Sequence, residues 1–326
     1  MKSSLYRELT AEALSEIIQA ALHVQMKSGQ LLTGGLFNTT YLVDTKEWGR
    51  VVLRLGPVNR HLLIPFEHRL MTAEEQVYAL CRERRIPVPQ VLAVDVSKTR
   101  IDRDFMITRY ISARPMNEVN LNRDDKARIC RDIGQAAARM HRIVSPRFGR
   151  VADVAAGGGF SRWSDCLKDE LSQWEKVAAG TGLYSETEHR KIREILDDRT
   201  PLLDEIHTPC LIHNDLWEGN LLISEETGRP KFAAVIDADR ALWGDPEFEF
   251  SSIRWMCEYD EFWQGYERRP PQDSVHLMRR DIYHLLCCLW NSYVYLQEYN
   301  QPEPANAEYA IAAKLIAGLM RQKASH

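Results

Sequence analysis

Three polar residues placed among short apolar runs constrain this chain more than any other feature of its sequence. Asp215 and Asn220 belong to the pattern His-x-Asp-x-x-x-x-Asn that begins at His213, and Asp237 directly follows the apolar run 234–236. That run predicts a short buried strand, which places Asp237 at a strand end. Carboxylate and amide oxygens are the hard ligands that Mg²⁺ takes when it bridges the phosphates of a nucleotide. The spacing therefore predicts a magnesium-dependent phosphotransferase.

Length, composition and charge are those of a globular enzyme. The chain has 326 residues, 44% of them hydrophobic and 27% charged, which is enough for two lobes with separate cores. The formal net charge of -4 argues against a general nucleic-acid-binding protein, which would carry a basic excess. The expected partner is a small molecule with a hydroxyl group. A monomer is the default, because no stretch reads as a coiled coil or a swapped arm.

The sequence also favours a cytoplasmic protein that makes no membrane contact. No run of about 18 apolar residues is present, and the segment 1–8 lacks the apolar core of a signal peptide. The seven cysteines are scattered and include no Cys-x-x-Cys pair, which is typical of reduced, buried thiols rather than of disulfides or a zinc site.

Hydrophobic periodicity divides the chain into two regions, 1–110 and 111–326. The first is predicted to be a small β-rich lobe for the nucleotide, and the second a larger, mainly helical catalytic and substrate-binding lobe. The predicted elements of the first are helices 9–28 and 67–85 and strands within 31–43, 51–55, 91–94 and 105–108. Those of the second are helices 123–143, 163–178, 187–199, 247–258, 275–298 and 305–322, with strands at 210–213, 220–223 and 232–236.

Two glycines, Gly34 and Gly35, stand in a turn before Asn38 and Thr39. Small residues let backbone N–H groups approach phosphate oxygens closely, so this turn is a candidate phosphate-binding loop. A plain hairpin turn is the alternative, because the full Gly-x-Gly-x-x-Gly pattern is missing. The position of the turn, just before the predicted strand 51–55, strengthens the phosphate-binding interpretation.

Arg54 stands in the middle of that strand among apolar neighbours, where a charge needs a partner. The helix predicted at 67–85 offers Glu74 and Glu75, and such an ion pair would place a cation against the α- and β-phosphates. Arginine keeps the charge expected there and can bind phosphate through two N–H groups. The alternative is an arginine that points outward from the strand.

Two further features bear on the acceptor. The segment 245–267 contains seven carboxylates and one basic residue, which is either a funnel for a cationic substrate or a solvated helix face. Trp217 and Trp243 lie close in sequence to the two segments that contain Asp215 and Asp237. Each could line a substrate pocket or belong to the core. His213 is expected to hold the loop rather than to take part in the chemistry.

These motifs resemble those of the aminoglycoside phosphotransferase-like kinases, a group that also includes choline, homoserine and fructosamine kinases. The likeness extends from about residue 31 to residue 260 and rests on the segments 211–223, 235–237 and 244–246. It implies a protein-kinase-like α+β fold with a small β-rich lobe and a larger helical lobe. It also implies Mg²⁺ and ATP as cofactors, with GTP possible.

By the same resemblance, Asp215 would be the catalytic base, and Asn220 and Asp237 would bind Mg²⁺. Arg54, paired with Glu74, would contact the phosphates. The resemblance implies a phosphotransferase that moves the γ-phosphoryl group to a small-molecule hydroxyl, with a cationic aminoglycoside as the first reading of the acceptor. A metabolic fructosamine, choline, homoserine or sugar acceptor is the alternative. A non-catalytic nucleotide-binding protein is a third hypothesis.

The segment 105–111 resembles the strand and hinge that hold the purine, so adenine contacts are expected at Arg109 and Ile111. The chain departs from the family pattern at Asn214, where glycine is common, and at 112–113, where a glycine usually follows the hinge. These departures remove no catalytic group, but they leave the acceptor open.

Overall fold

The first lobe is built on a five-stranded antiparallel sheet with the strand order β1-β2-β3-β5-β4. The computed structural model describes residues 3–32, 35–226, 228–252 and 254–322. Helix α1 packs on one face of the sheet, and α2 follows β3 in the chain. Their bounds are α1 Ala11–Leu22, β1 Met26–Leu32, β2 Thr39–Thr45, β3 Arg50–Leu55, α2 Leu70–Glu83, β4 Val91–Asp95 and β5 Phe105–Arg109.

Alternation along β3 decides where Arg54 points. Val51, Leu53 and Leu55 are buried in one core cluster with Ile18 of α1. Because successive side chains of a strand point to opposite faces, Arg54 lies on the other face, away from α1. This is the face that meets α2.

The helix predicted at 9–28 is wrong at its C-terminal end. It ends at Leu22, where His23 adopts a left-handed conformation (φ 58°) and donates its backbone N–H to Gln19 O. Strand β1 then begins at Met26. As the edge strand of the sheet, β1 is largely exposed, so its sequence lacks the alternation that would have indicated a strand.

The second lobe is mainly helical and carries two small three-stranded sheets, β10-β9-β6 and β7-β11-β8. The strands are β6 Arg114–Pro115, β7 Gly149–Arg150, β8 Cys210–Ile212, β9 Leu221–Ser224, β10 Lys231–Val235 and β11 Leu242–Gly244. The helices are α3 Arg123–Met140, α4 Val151–Ala155, α5 Trp163–Ala178, α6 Glu186–Asp198, α7 Thr200–Leu203, α8 Pro246–Ser252, α9 Arg254–Cys257, α10 Asp260–Tyr266, α11 Ser274–Tyr293 and α12 Pro302–Arg321.

The predicted α+β architecture of a small sheet lobe and a larger helical lobe is confirmed. In the second lobe, α11 continues into one π-helical turn, Val294–Glu298. All seven cysteines are free thiols, five of them buried. Among the described helices, none combines the length and the apolar character needed to cross a bilayer.

Candidate active site

The loop between β8 and β9 carries the predicted base, and a buried carboxylate binds the backbone of this loop. Glu249 on α8 is fully buried. It accepts the backbone N–H of His213 (2.6 Å, N to O) and that of Asn214 (2.9 Å). Asn214 has a φ of 64°, a left-handed conformation that asparagine tolerates better than most residues. The turn that presents Asp215 is therefore fixed at its backbone.

His213 joins this loop to the segment that contains Asp237. Its Nδ1 accepts the backbone N–H of Asp215 (3.2 Å), and its Nε2 lies 3.0 Å from Ile236 O. Burial lowers the pKa of His213, so the ring is neutral and carries its proton on Nε2. The residue positions the two segments against each other, in keeping with the structural role expected from its place in the motif.

Asp215 is partly exposed at the surface of the loop and is contacted by Asn220. The amide Nδ2 of Asn220 donates to Asp215 Oδ2 (2.9 Å) and to its backbone O (2.8 Å). Burial raises the pKa of Asp215 to about 7, although the Arg240 guanidinium and the Asn220 amide act in the opposite direction. A carboxylate that titrates near neutral pH is suited to accept a proton from a hydroxyl.

Asp237 is tied to α2 through two contacts. Its carboxylate forms an ion pair with Arg54, whose other guanidinium nitrogen is paired with Glu74. Its backbone N–H donates to Tyr78 Oη (3.0 Å), and that hydroxyl donates in turn to Glu74. Arg54 Nη2 also lies 3.5 Å from Asp239 Oδ2. The structure thus brings the predicted residues Arg54, Glu74 and Asp237 together.

The donor set around Asp237 fits a divalent cation. One oxygen each from Glu74, Asp237 and Asp239 lies within 4.8 Å of the others, and carboxylate oxygens are the ligands that Mg²⁺ prefers. Burial would raise the pKa of Asp237, but the Arg54 cation together with the smaller effects of His213, Asp239 and Arg240 outweighs it, so the pKa is lowered. Burial, followed by the charges of Asp237 and Glu74, raises the pKa of Asp239 well above its ordinary value.

The candidate phosphate-binding turn lies between β1 and β2. Gly34 lies outside the described residues, Gly35 is exposed and Asn38 is half-buried. Thr39 is buried at the start of β2, where its Oγ1 accepts the backbone N–H of Arg7 (3.4 Å). Cross-strand pairing sets Thr39 opposite Leu55, so the turn leads into the part of the sheet that carries the predicted phosphate contact.

The predicted hinge residues lie where the chain leaves the sheet. Arg109 is the last residue of β5; its backbone N–H donates to Gln90 O (2.8 Å), and its guanidinium lies over the Trp48 ring (5.2 Å to the centroid). Ile111 is half-buried, and its carbonyl accepts the N–H of Ala113 (2.8 Å).

The first three carboxylates of the acidic stretch 245–267 form neither a funnel for a cationic substrate nor a solvated helix face. Asp245, Glu247 and Glu249 are all buried. Asp245 accepts the Tyr283 hydroxyl (2.8 Å), and Glu247 is paired with Arg280 (2.7 Å). A cavity of about 420 Å³ beside Asp245 and Glu247 is also lined by basic groups, Arg268, Arg279 and His276.

Three residues of the site were not foreseen from the sequence as part of it: Glu249, Tyr78 and Arg240. Tyr78 lies four residues after Glu74, a spacing that places both on one face of α2 and could have indicated the contact. Glu249 was counted among surface acids, because nothing in its own segment shows that it binds backbone N–H groups of a distant loop. Trp243 is in the core, whereas Trp217 is 49% exposed.

Comparison with known proteins gives a consistent result. A family model described as the phosphotransferase enzyme family matches residues 28–273. A probable ketoamine kinase of Klebsiella aerogenes is 26% identical over 68% of this chain and 73% of its own length. A probable ketoamine kinase of Vibrio parahaemolyticus is 24% identical over 78% of this chain and 82% of its own length.

Solved structures show the same fold. A protein of Thermobifida fusca assigned as a fructosamine-3-kinase has a TM-score of 0.70 at 17% identity and covers 96% of this chain and 100% of its own. A GDP complex of an aminoglycoside 2'-phosphotransferase has a TM-score of 0.66 at 15% identity, covering 95% and 99%.

Proposed function

Because the chain belongs to the phosphotransferase enzyme family, we propose that it is a Mg-ATP-dependent kinase whose acceptor is a hydroxyl group of a ketoamine. The curated relatives named above support this acceptor class, which was the alternative to an aminoglycoside. The buried, internally paired carboxylates of the stretch 245–267 weaken the reason for expecting a polycationic antibiotic.

The observation that carries the proposal is a chain of contacts among the predicted site residues. Asn220 donates to Asp215, and its backbone O accepts the N–H of Ile236, the residue before Asp237. Asp237 is paired with Arg54, which is also paired with Glu74. In the reaction, the acceptor oxygen bonds to the γ-phosphorus as the bond to the leaving ADP oxygen breaks. Asp215 orients the hydroxyl and takes its proton. Asn220 and Asp237 would hold Mg²⁺, whose charge would neutralise that of the phosphates, and Arg54 would contact the phosphates.

Trp217 supports a sugar-like acceptor. Its indole lies two residues after Asp215, is about half exposed, and rests against Gly219, where a Cβ would lie 2.3 Å from the ring. The glycine therefore leaves room for the ring, because a side chain at residue 219 would collide with it. A half-exposed indole can pack against the apolar C–H face of a sugar next to the base.

The remaining assignments complete the proposal. Residues 1–110 form the nucleotide-binding lobe and residues 111–326 the catalytic lobe. The purine binds at Arg109 and Ile111, and the phosphates lie under the turn that includes Gly35, Asn38 and Thr39.

The experiment is coupled ADP release by the purified protein with Mg²⁺ and ATP or GTP. The acceptors are fructosamines, ribulosamines, aminoglycosides, choline, homoserine and simple sugars. We expect turnover with a ketoamine, and a loss of about a thousandfold or more in Asp215→Ala with nucleotide affinity retained. Asp260→Ala, which removes an exposed surface carboxylate, is the matched control and should keep full turnover.

Turnover with aminoglycosides and not with ketoamines would refute the acceptor class while leaving a kinase. Wild-type turnover in Asp215→Ala would refute the assignment of the base. Tight Mg-nucleotide binding without ADP formation on the whole panel would favour the non-catalytic hypothesis.

A further inference from the structure

Arg54 contacts two functional carboxylates at once. It is the penultimate residue of β3, and its side chain is 13% exposed. Nη1 is paired with both carboxylate oxygens of Glu74, which is fully buried, and Nη2 is paired with Asp237 Oδ1. A lysine has a single nitrogen at the end of its chain, whereas a planar guanidinium offers separate N–H groups to separate partners.

The contact with Asp237 occupies one oxygen, Oδ1, of a carboxylate that the proposed function needs for a metal ion. A guanidinium held against that carboxylate opposes the binding of Mg²⁺ to it, because the two cations would repel each other. The backbone of Asp237 is fixed independently, through its N–H to Tyr78 Oη (3.0 Å). The carboxylate can therefore change partners without displacement of its main chain.

We infer that Arg54 is a two-armed positioning residue that keeps Glu74 with one arm and exchanges Asp237 for nucleotide phosphate with the other, so that nucleotide and metal bind cooperatively. The phosphates become the anionic partner of Arg54 Nη2 in place of Asp237. The divalent cation becomes the partner of the Asp237 carboxylate in place of Arg54. Either exchange alone leaves one charged group without its partner. Both together leave none, which is the condition for positive coupling between two ligands.

The inference rests on the proposed metal-binding role of Asp237, and its test does not require turnover. Mn²⁺ is titrated into the nucleotide-free protein and followed by electron paramagnetic resonance. In Arg54→Lys the charge is kept and the second arm is lost, so Mn²⁺ should bind about five- to tenfold more tightly than in the parent protein. Binding of metal-free ADP should weaken in the same variant.

Two variants identify the source of the change. Asp237→Asn combined with Arg54→Lys should abolish the gain in Mn²⁺ affinity, because the negative charge of the released carboxylate is gone. Arg50→Lys makes the same exchange on the same strand at an exposed position and should leave Mn²⁺ affinity unchanged. If Arg54→Lys does not fold, as judged by its thermal melt, Arg54→Gln replaces it, with a larger gain expected.

Unchanged or weaker Mn²⁺ binding in a folded Arg54 variant would overturn the inference. A gain that persists without the Asp237 carboxylate would overturn it as well. If the gain appears and depends on Asp237 while no acceptor is phosphorylated, the exchange stands and the proposed acceptor fails.

Discussion

The proposed catalytic loop 213–220 and the proposed phosphate-binding turn 35–38 are held in the protein by different means. The catalytic loop is tied by hydrogen bonds from its backbone to the buried Glu249 and from His213 to the neighbouring segment. In the turn, Gly35 is exposed and Asn38 half-buried, and Phe37 packs on the core of the helical lobe. One region is anchored by buried polar groups, the other by its strands and an apolar contact.

This difference matches what each region has to do. The base must stand within hydrogen-bond reach of a hydroxyl, and small displacements of a catalytic group cost rate. A turn that covers phosphates has to admit and release a nucleotide, so strong anchoring would slow it. Mutations should therefore lower kcat at the catalytic loop and change nucleotide KM only slightly at the turn.

Among the variants that test this comparison, the largest effect is expected from Glu249→Gln. Glutamine offers one oxygen to two backbone N–H groups and turns its own NH₂ toward one of them. An unsatisfied buried N–H costs about 1–3 kcal/mol, which corresponds to about a five- to 150-fold loss of kcat if it displaces the loop. Steady-state kinetics with saturating nucleotide would measure kcat, and calorimetry would show a melting temperature lower by a few degrees.

Glu247→Gln is the matched control. Glu247 is buried on the same helix, but it is paired with the Arg280 side chain instead of the catalytic loop. Its variant should lose stability and keep kcat. If both variants lose kcat equally, or if Glu249→Gln recovers full kcat well below its melting temperature, then Glu249 contributes to stability alone and the contrast between the regions fails.

The same contrast explains what could be predicted from the sequence. Helix 163–178 was predicted with its observed bounds, since its apolar spacing is local. Asp215, Asn220 and Asp237 are predicted as site residues because their spacing along the chain matches the chemistry expected of them, and that assignment stays a prediction. Glu249 was missed, because burial of a carboxylate against a distant loop follows from packing and leaves no local pattern. The π-helical turn after α11 likewise had no signal, and 275–298 was predicted as one helix.

The pH dependence of the rate tests the proposed role of Asp215 in the catalytic loop. As the proposed base, Asp215 can accept a proton only when ionised, and burial raises its pKa to about 7. Lowering the pH below that value protonates it, so kcat/KM for the acceptor should fall about tenfold per pH unit and level off above it. Asp215→Asn should lose this slope in its residual rate. An acceptor profile that stays flat down to pH 5 would mean that the base ionises at a lower pH than its burial implies.

The smallest effect is expected from Gly35→Ala in the turn. Gly35 is exposed, and a Cβ there would lie 3.2 Å from Asn38 O, so the neighbouring backbone has to shift by a few tenths of an ångström. Because the turn has few polar anchors to break, we expect nucleotide KM to rise about two- to threefold, under 1 kcal/mol, with kcat unchanged. Gly219→Ala is the comparison, since its Cβ would meet the Trp217 ring at 2.3 Å beside the base and should raise acceptor KM instead. A tenfold or larger loss of kcat in Gly35→Ala would show that the turn positions the γ-phosphate as strictly as the catalytic loop positions its carboxylate.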